Sequence, residues 1–196
     1  LVAGDLVTGS ANNNEIRSQW MDFNSAISAF EGTTYMVPGN HDVYSGASAF
    51  GIWREVFPWL PTDDSPAGEE GVSYYVDHGD TRFISITSDG VGSSSVSWEG
   101  LAWLDRVLSE SDAFDHVFVM THHPVTFYDN YHGGTAGDFW QLLVAYGVTG
   151  VFSGHWHRYQ PSQPGAGGDT WETIIGTGGG WQGFEPIRPY QQIPGF

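Results

Sequence analysis

Apolar positions change their spacing along the chain, and each change marks an element. Leu1-Val2-Ala3 is a short apolar run that stops at Gly4-Asp5, as a strand does when it enters a loop. From Glu15 to Phe30 the residues Ile16, Trp20, Phe23, Ile27 and Phe30 recur every three or four positions. That spacing predicts an amphipathic helix, with Asn12 to Asn14 offering N-caps. Thr34 to Val37 reads as a strand stopped by Pro38-Gly39. Ala47 to Trp59 reads as a helix with Phe50, Trp53 and Phe57 on one face. Val72 to Val76 and Arg82 to Thr87 flank a turn at His78-Gly79-Asp80 and predict a hairpin. Ser97 to Leu108, with Trp98, Leu101, Leu104 and Leu108, predicts a third helix, and Asp138 to Tyr146 a fourth. His116 to Thr121, Val148 to Phe152 and Trp171 to Ile175 read as strands. The Trp and Phe of the first three helices are expected in the core. Strands alternating with helices around an inserted hairpin indicate a layered α/β fold. The tail from Phe184 to Phe196 reads as irregular.

Composition narrows the possibilities. A chain of 196 residues fits one ordinary domain, and 9 Trp, 9 Tyr and 12 Phe supply ample core material. No apolar run approaches the ~20 residues that span a bilayer. The net charge is −17, with six basic residues, all Arg, against 23 acidic ones. A basic patch cannot be assembled from these, which disfavours nucleic acid and anionic membranes as partners. An anionic substrate must then be drawn by something other than side-chain cations, and a bound metal is the obvious candidate. Cysteine is absent, which excludes disulfides, thiolate metal sites and Cys nucleophiles. Missing Lys with abundant acidic residues, Gly, Ser and Thr suits a salt-exposed or secreted (or periplasmic) chain, and a genomic base bias produces the same pattern. The chain begins at Leu1 in what reads as mid-strand, so the expectation is a fragment or a processed chain.

The candidate chemistry lies where strands stop. Four apolar runs end in polar residues flanked by Gly or Pro: Gly4-Asp5, Gly39-Asn40-His41-Asp42, His122-His123-Pro124 and Gly154-His155-Trp156-His157. In open α/β sheets the carboxyl ends of strands share one rim, where ligands bind. Asp5, Asn40, His41, His122, His155 and His157 are therefore expected at one spot. Carboxylate, amide oxygen and imidazole without sulfur suit hard-to-borderline divalent metals. In an extended segment His155 and His157 face the same way with Cα atoms roughly 6 to 7 Å apart. That spacing can serve two metals about 3.5 to 4 Å apart, the arrangement used in phosphoryl displacement.

Gly4-Asp5-Leu6-Val7, Gly39-Asn40-His41-Asp42, Val119-Met120-Thr121-His122 and Gly154-His155-Trp156-His157 resemble, in order, the signatures of calcineurin-like metallophosphoesterases. That family includes purple acid phosphatases, cyclic-nucleotide phosphodiesterases and Ser/Thr phosphatases. Gly176-Thr177-Gly178-Gly179-Gly180 resembles a glycine turn late in the same domain. The resemblance implies a four-layer α-β-β-α sandwich, a single domain over residues 1–196 that is N-terminally incomplete and lacks its first strand. It implies two divalent or transition metal ions, Fe, Mn or Zn, and a small phosphate-ester substrate, mono- or diester. Asp5 would bridge the ions; Asn40, His122 and His155 would complete one site, and His157 would belong to the other. Asn40 and His41 would contact the phosphate, and His41 would help protonate the leaving group. A metal-bridging hydroxide would attack phosphorus. Two departures stand out. The family's Asp-x-His segment is missing before Gly4, so it is expected upstream. Thr8 occupies the place of a metal-binding Tyr in purple acid phosphatases and of an Asp in Ser/Thr phosphatases. Thr8 thus argues against the purple subclass and weakens the Asp–His pairing that would tune His41. The alternative is a catalytically impaired, phosphoesterase-like structural or binding module.

Other residues carry plainer expectations. Asp42 and His123 are candidates to orient the ligands from behind. His132 reads as a solvated loop residue, and His78 and His116 as surface or strand-edge positions. Trp156 is expected to pack and Arg158 to sit in an ion pair. Asp63, Asp64, Glu69 and Glu70 read as a solvated acidic loop without the ligand spacing of a calcium loop. Substrate choice is expected in the loops Tyr128 to Thr135 and Ser162 to Gly168.

Overall fold

The computed structural model describes residues 1–46, 48–89, 95–126, 136–162, 169–178 and 180. In chain order the elements are β1 (Val2–Ala3), α1 (Asn13–Ile27), β2 (Met36–Val37), α2 (Ser48–Val56), β3 (Tyr74–His78) and β4 (Thr81–Ser85). These are followed by α3 (Trp98–Ser109), β5 (His116–Met120), α4 (Ala136–Ala145), β6 (Gly150–Ser153), β7 (Tyr159–Ser162) and β8 (Trp171–Ile175). Strands β1 and β2 pair in parallel as a two-stranded sheet. The other six form one sheet in the order β3-β4-β5-β6-β8-β7. Its interior strands β4, β5, β6 and β8 run parallel, with β3 and β7 antiparallel at the edges.

Packing sets the four layers. Helices α1 and α2 bury Ile16, Trp20, Phe50 and Trp53 against Met36 of the small sheet and Tyr74 of the large one. The Trp20 and Trp53 rings meet edge-on at 5.5 Å. Ala3, Val37 and Met120 close the space between the sheets. There the Tyr74 hydroxyl donates to the Met36 carbonyl at 2.8 Å and accepts from the Met36 amide at 2.9 Å. On the far face Ile84, Val119 and Val151 pack under Leu104, Leu108, Phe139 and Leu143 of α3 and α4. Each such side chain contributes roughly 1.5–3 kcal/mol. This is the α-β-β-α sandwich that the resemblance implies.

Some details differ. Helix α1 stops at Ile27, where Ser28 turns the chain, so Phe30 lies outside the helix and is 64% exposed. Trp98 is 62% exposed because it directly follows the N-cap Ser97, one turn before the buried face begins at Leu101. The sequence reading missed β7, whose Pro161 argues against a strand. Edge strands tolerate proline because one side of the ladder needs no donor. The acidic loop is less solvated than expected: Asp64 pairs with Arg106, Glu70 with Arg54, and Glu69 accepts from Ser73 and Ser97. No helix among the described residues is long and apolar enough to cross a membrane.

Candidate metal centre

Four chain segments converge because their backbones touch. The Gly154 amide donates to the His122 carbonyl at 2.9 Å, joining the ends of β5 and β6. The His41 amide donates to Asp5 Oδ1 at 3.0 Å, joining the ends of β1 and β2. Asp42, fully buried, accepts from the amides of Leu6 (3.2 Å) and Gly39 (2.8 Å) and from Trp20 Nε1 (2.9 Å). Gly4 stands at φ 83°, and a Cβ there would overlap the His122 ring. A Cβ on Gly39 would overlap the Asp5 carboxylate. Asp5 (φ 54°) and His155 (φ 62°) hold the left-handed backbone that side chains rarely adopt. Such conformations cost about 1–3 kcal/mol each and persist where the surroundings enforce them.

The donor atoms then face one another. His122 Nδ1 lies 2.8 Å from the Ala3 carbonyl, which can only accept, so Nδ1 carries a proton and Nε2 turns to the cleft. His122 Nε2 is 3.1 Å from Asn40 Oδ1 and 3.3 Å from both Asp5 Oδ2 and His155 Nδ1. His155 Nδ1 lies 2.9 Å from Asn40 Oδ1. Burial raises the Asp5 carboxyl, but the His122 ring and the His41 amide outweigh it and hold the group below its ordinary value. His122 answers in the opposite sense: burial lowers it, and the Asp5 contact carries it above its ordinary value. His155 falls to about 3, first through burial and then through the neighbouring His123 and His122 rings, and so is neutral at pH 7. Two imidazoles, a carboxylate and an amide oxygen converge there, a donor set that can coordinate a cation. Their chemistry fits a divalent cation of the Mn, Fe or Zn kind.

A family model described as calcineurin-like phosphoesterase matches residues 1–159. The chain belongs to that family. No curated protein sequence matches it. Among solved structures, it is similar to a purple acid phosphatase from yellow lupin (Lupinus luteus) seeds, with TM-score 0.74 and 19% identity over 95% of this chain. A dimetal phosphatase from Danio rerio matches with TM-score 0.64 and 17% identity over 88% of the chain. The protein described as the anchor in the inner membrane complex of Plasmodium matches with TM-score 0.60 and 16% identity over 95%. The chain spans 38% of the lupin protein, 70% of the Danio rerio protein and 64% of the Plasmodium one. At such identities the likeness speaks for the fold alone.

The remaining positions expected of a calcineurin-like phosphoesterase are placed as follows. His41 Nδ1 donates to the Thr8 carbonyl at 2.8 Å, leaving Nε2 as its free nitrogen. Thr8 thus engages His41 through its backbone, while its hydroxyl donates to Gln19 Oε1 at 3.0 Å. His157 lines, with Asp5, His41 and His155, a cleft of about 530 Å³. The glycine turn packs on it: a Cβ on Gly180 would come 2.6 Å from the His157 ring. His123 is buried with its ring centroid 4.3 Å from that of His155. Among the described residues, ligand atoms of His122, His123 and His155 lie within 4.8 Å of one another. Asp42 is pushed up to about 6, chiefly by burial. His78 and His116 are exposed, and Arg158 stacks over the Trp156 ring at 4.1 Å. His132 and the loops at 127–135 and 163–168 lie outside the described residues.

Sequence reasoning missed Ser88 and Asp89. His123 Nδ1 lies 3.0 Å from Ser88 Oγ and 3.2 Å from Asp89 Oδ2, so this pair fixes the ring behind His155. A signal existed: Thr87-Ser88-Asp89-Gly90 follows an apolar strand just as the four other segments do. Glu172, in mid-strand, carried none.

Proposed function

We propose that this chain is the metal-binding core of a phosphoesterase that hydrolyses phosphate mono- or diesters at two divalent ions. The convergence of Asp5, Asn40, His122 and His155 donor atoms at 2.9–3.3 Å supports it. These four residues would hold one ion, and Asp5 with His157 would serve the other. Ions there supply positive charge to a phosphate and bring the pKa of water toward neutrality. The protein's part is distinct. The Ala3 carbonyl holds the His122 proton on Nδ1, and the Thr8 carbonyl does the same for His41. His41 Nε2, when protonated, can hand its proton to a departing oxygen, and Asn40 can orient the phosphate.

With Mn²⁺ added, the chain should hydrolyse an aryl phosphate. Asn40→Ala or His155→Ala should slow it by on the order of 100-fold or more, since several kcal/mol of charge stabilisation is lost. Turnover that survives both substitutions and metal stripping refutes the proposal. A panel of mono- and diesters then sorts the substrate class.

The rival reading is a phosphoesterase-derived binding module. One observation favours it: the metal-competent histidine group among the described residues does not include His157. Elemental analysis separates the two, with two ions per chain for the enzyme and one or none for the module. The mass of the natural N-terminus tests whether an Asp-x-His segment lies upstream.

A further inference from the structure

Glu172 lies on β8, an interior strand of the large sheet, and its side chain is wholly shielded from solvent. Oε1 accepts from the Val125 amide at 2.8 Å and from Ser153 Oγ at 2.9 Å. Oε2 accepts from the Thr126 amide at 2.9 Å and contacts the Thr126 hydroxyl. Val125 and Thr126 follow His122-His123-Pro124, and Pro124 has no amide proton of its own to anchor that turn. Ser153 stands two residues before His155. A single carboxyl group therefore grips both strand ends that present histidines to the centre.

The grip requires a carboxyl group rather than an amide. Both backbone amides are obligate donors, one to each oxygen, so both oxygens must accept. Glutamine, of nearly the same shape, would turn an NH₂ against one of the amides and leave a buried donor unmatched.

We propose that Glu172 is a positioning residue for the metal centre. It holds the β5 and β6 ends so that His122 Nε2 and His155 Nδ1 stay 3.3 Å apart. The inference rests on the reading of this cluster as a metal site. Partners that orient metal ligands typically govern affinity by 10–100-fold.

The test compares the full chain with Glu172→Gln, and with Thr126→Val and Ser153→Ala, which each remove one hydroxyl donor. Mn²⁺ binding is measured by calorimetry, alongside amide exchange of residues 121–126 and 153–155 in metal-free protein. Glu172→Gln should weaken Mn²⁺ binding about 10–100-fold and speed exchange in both segments, while helix α1 keeps its protection. If Glu172→Gln does not fold, the two hydroxyl variants carry the test, with weaker binding and faster local exchange expected from each. Folded variants with wild-type affinity and wild-type exchange overturn the proposal. A wild-type chain that binds no Mn²⁺ overturns the metal reading instead, and the exchange comparison still decides whether Glu172 holds the two segments.

Discussion

At the level of single residues, Asp42 shows how a buried carboxylate serves the site without touching it. It ties the Leu6 amide to the Gly39 amide and so holds the Asp5 and Asn40 loops together. Burial raises it from 3.8 to about 6. Its unfolded form loses the proton first as pH rises, so between about 4 and 6 the folded state binds more protons. Stability from this group is therefore present at low pH and falls across that window, by about 3 kcal/mol. Urea melts of metal-free protein should show the wild-type advantage over Asp42→Asn shrinking from pH 4 to 6. A constant difference contradicts this. Asp5, Asn40 and His155 could be read from the sequence because each follows an apolar run and a glycine, and His122 because it closes an apolar run. The carbonyls of Ala3 and Thr8 could not, since a backbone acceptor has no residue type. Glu172 could not either: in Trp171-Glu172-Thr173 it looks like the polar half of an alternating strand, and the close approach of residues 125–126 and Ser153 explains it.

Elements were legible where periodicity was strong. Helix α1 begins where the Asn run places it: the Asn12 side chain accepts from the Asn14 amide at 2.9 Å. Removing that cap by Asn12→Ala should cost about 1 kcal/mol. A fall of roughly 2–4 °C in thermal midpoint checks it, and an unchanged midpoint argues that solvent caps the helix as well. The end of α1 was harder to place, because Ile27 and Phe30 keep the helical spacing while Ser28 breaks the helix. Strand β7 was illegible for the converse reason: Pro161 forbids a central strand, and only the sheet order shows that the position is an edge.

Across the whole molecule, the charge of −17 gives an overall field that attracts cations. Four of the arginines are spent on carboxylates: Arg17 on Glu55, Arg54 on Glu70, Arg82 on Asp77 and Arg106 on Asp64. Metal binding to the folded state alone should add about 2.7 kcal/mol at a hundredfold excess over the dissociation constant. Chelation should lower the thermal midpoint by several degrees, and Mn²⁺ should restore it. A midpoint indifferent to both contradicts a folded-state cation site. The layered architecture was legible from alternating strands and helices, whereas the division into sheets of two and six strands was not, since pairing partners leave no mark on local pattern.

The left-handed backbone at Asp5 and His155 sets ease of folding against ligation. Glycine would adopt either shape freely, so placing it at either position would relieve the local backbone cost and strip a donor atom from the centre.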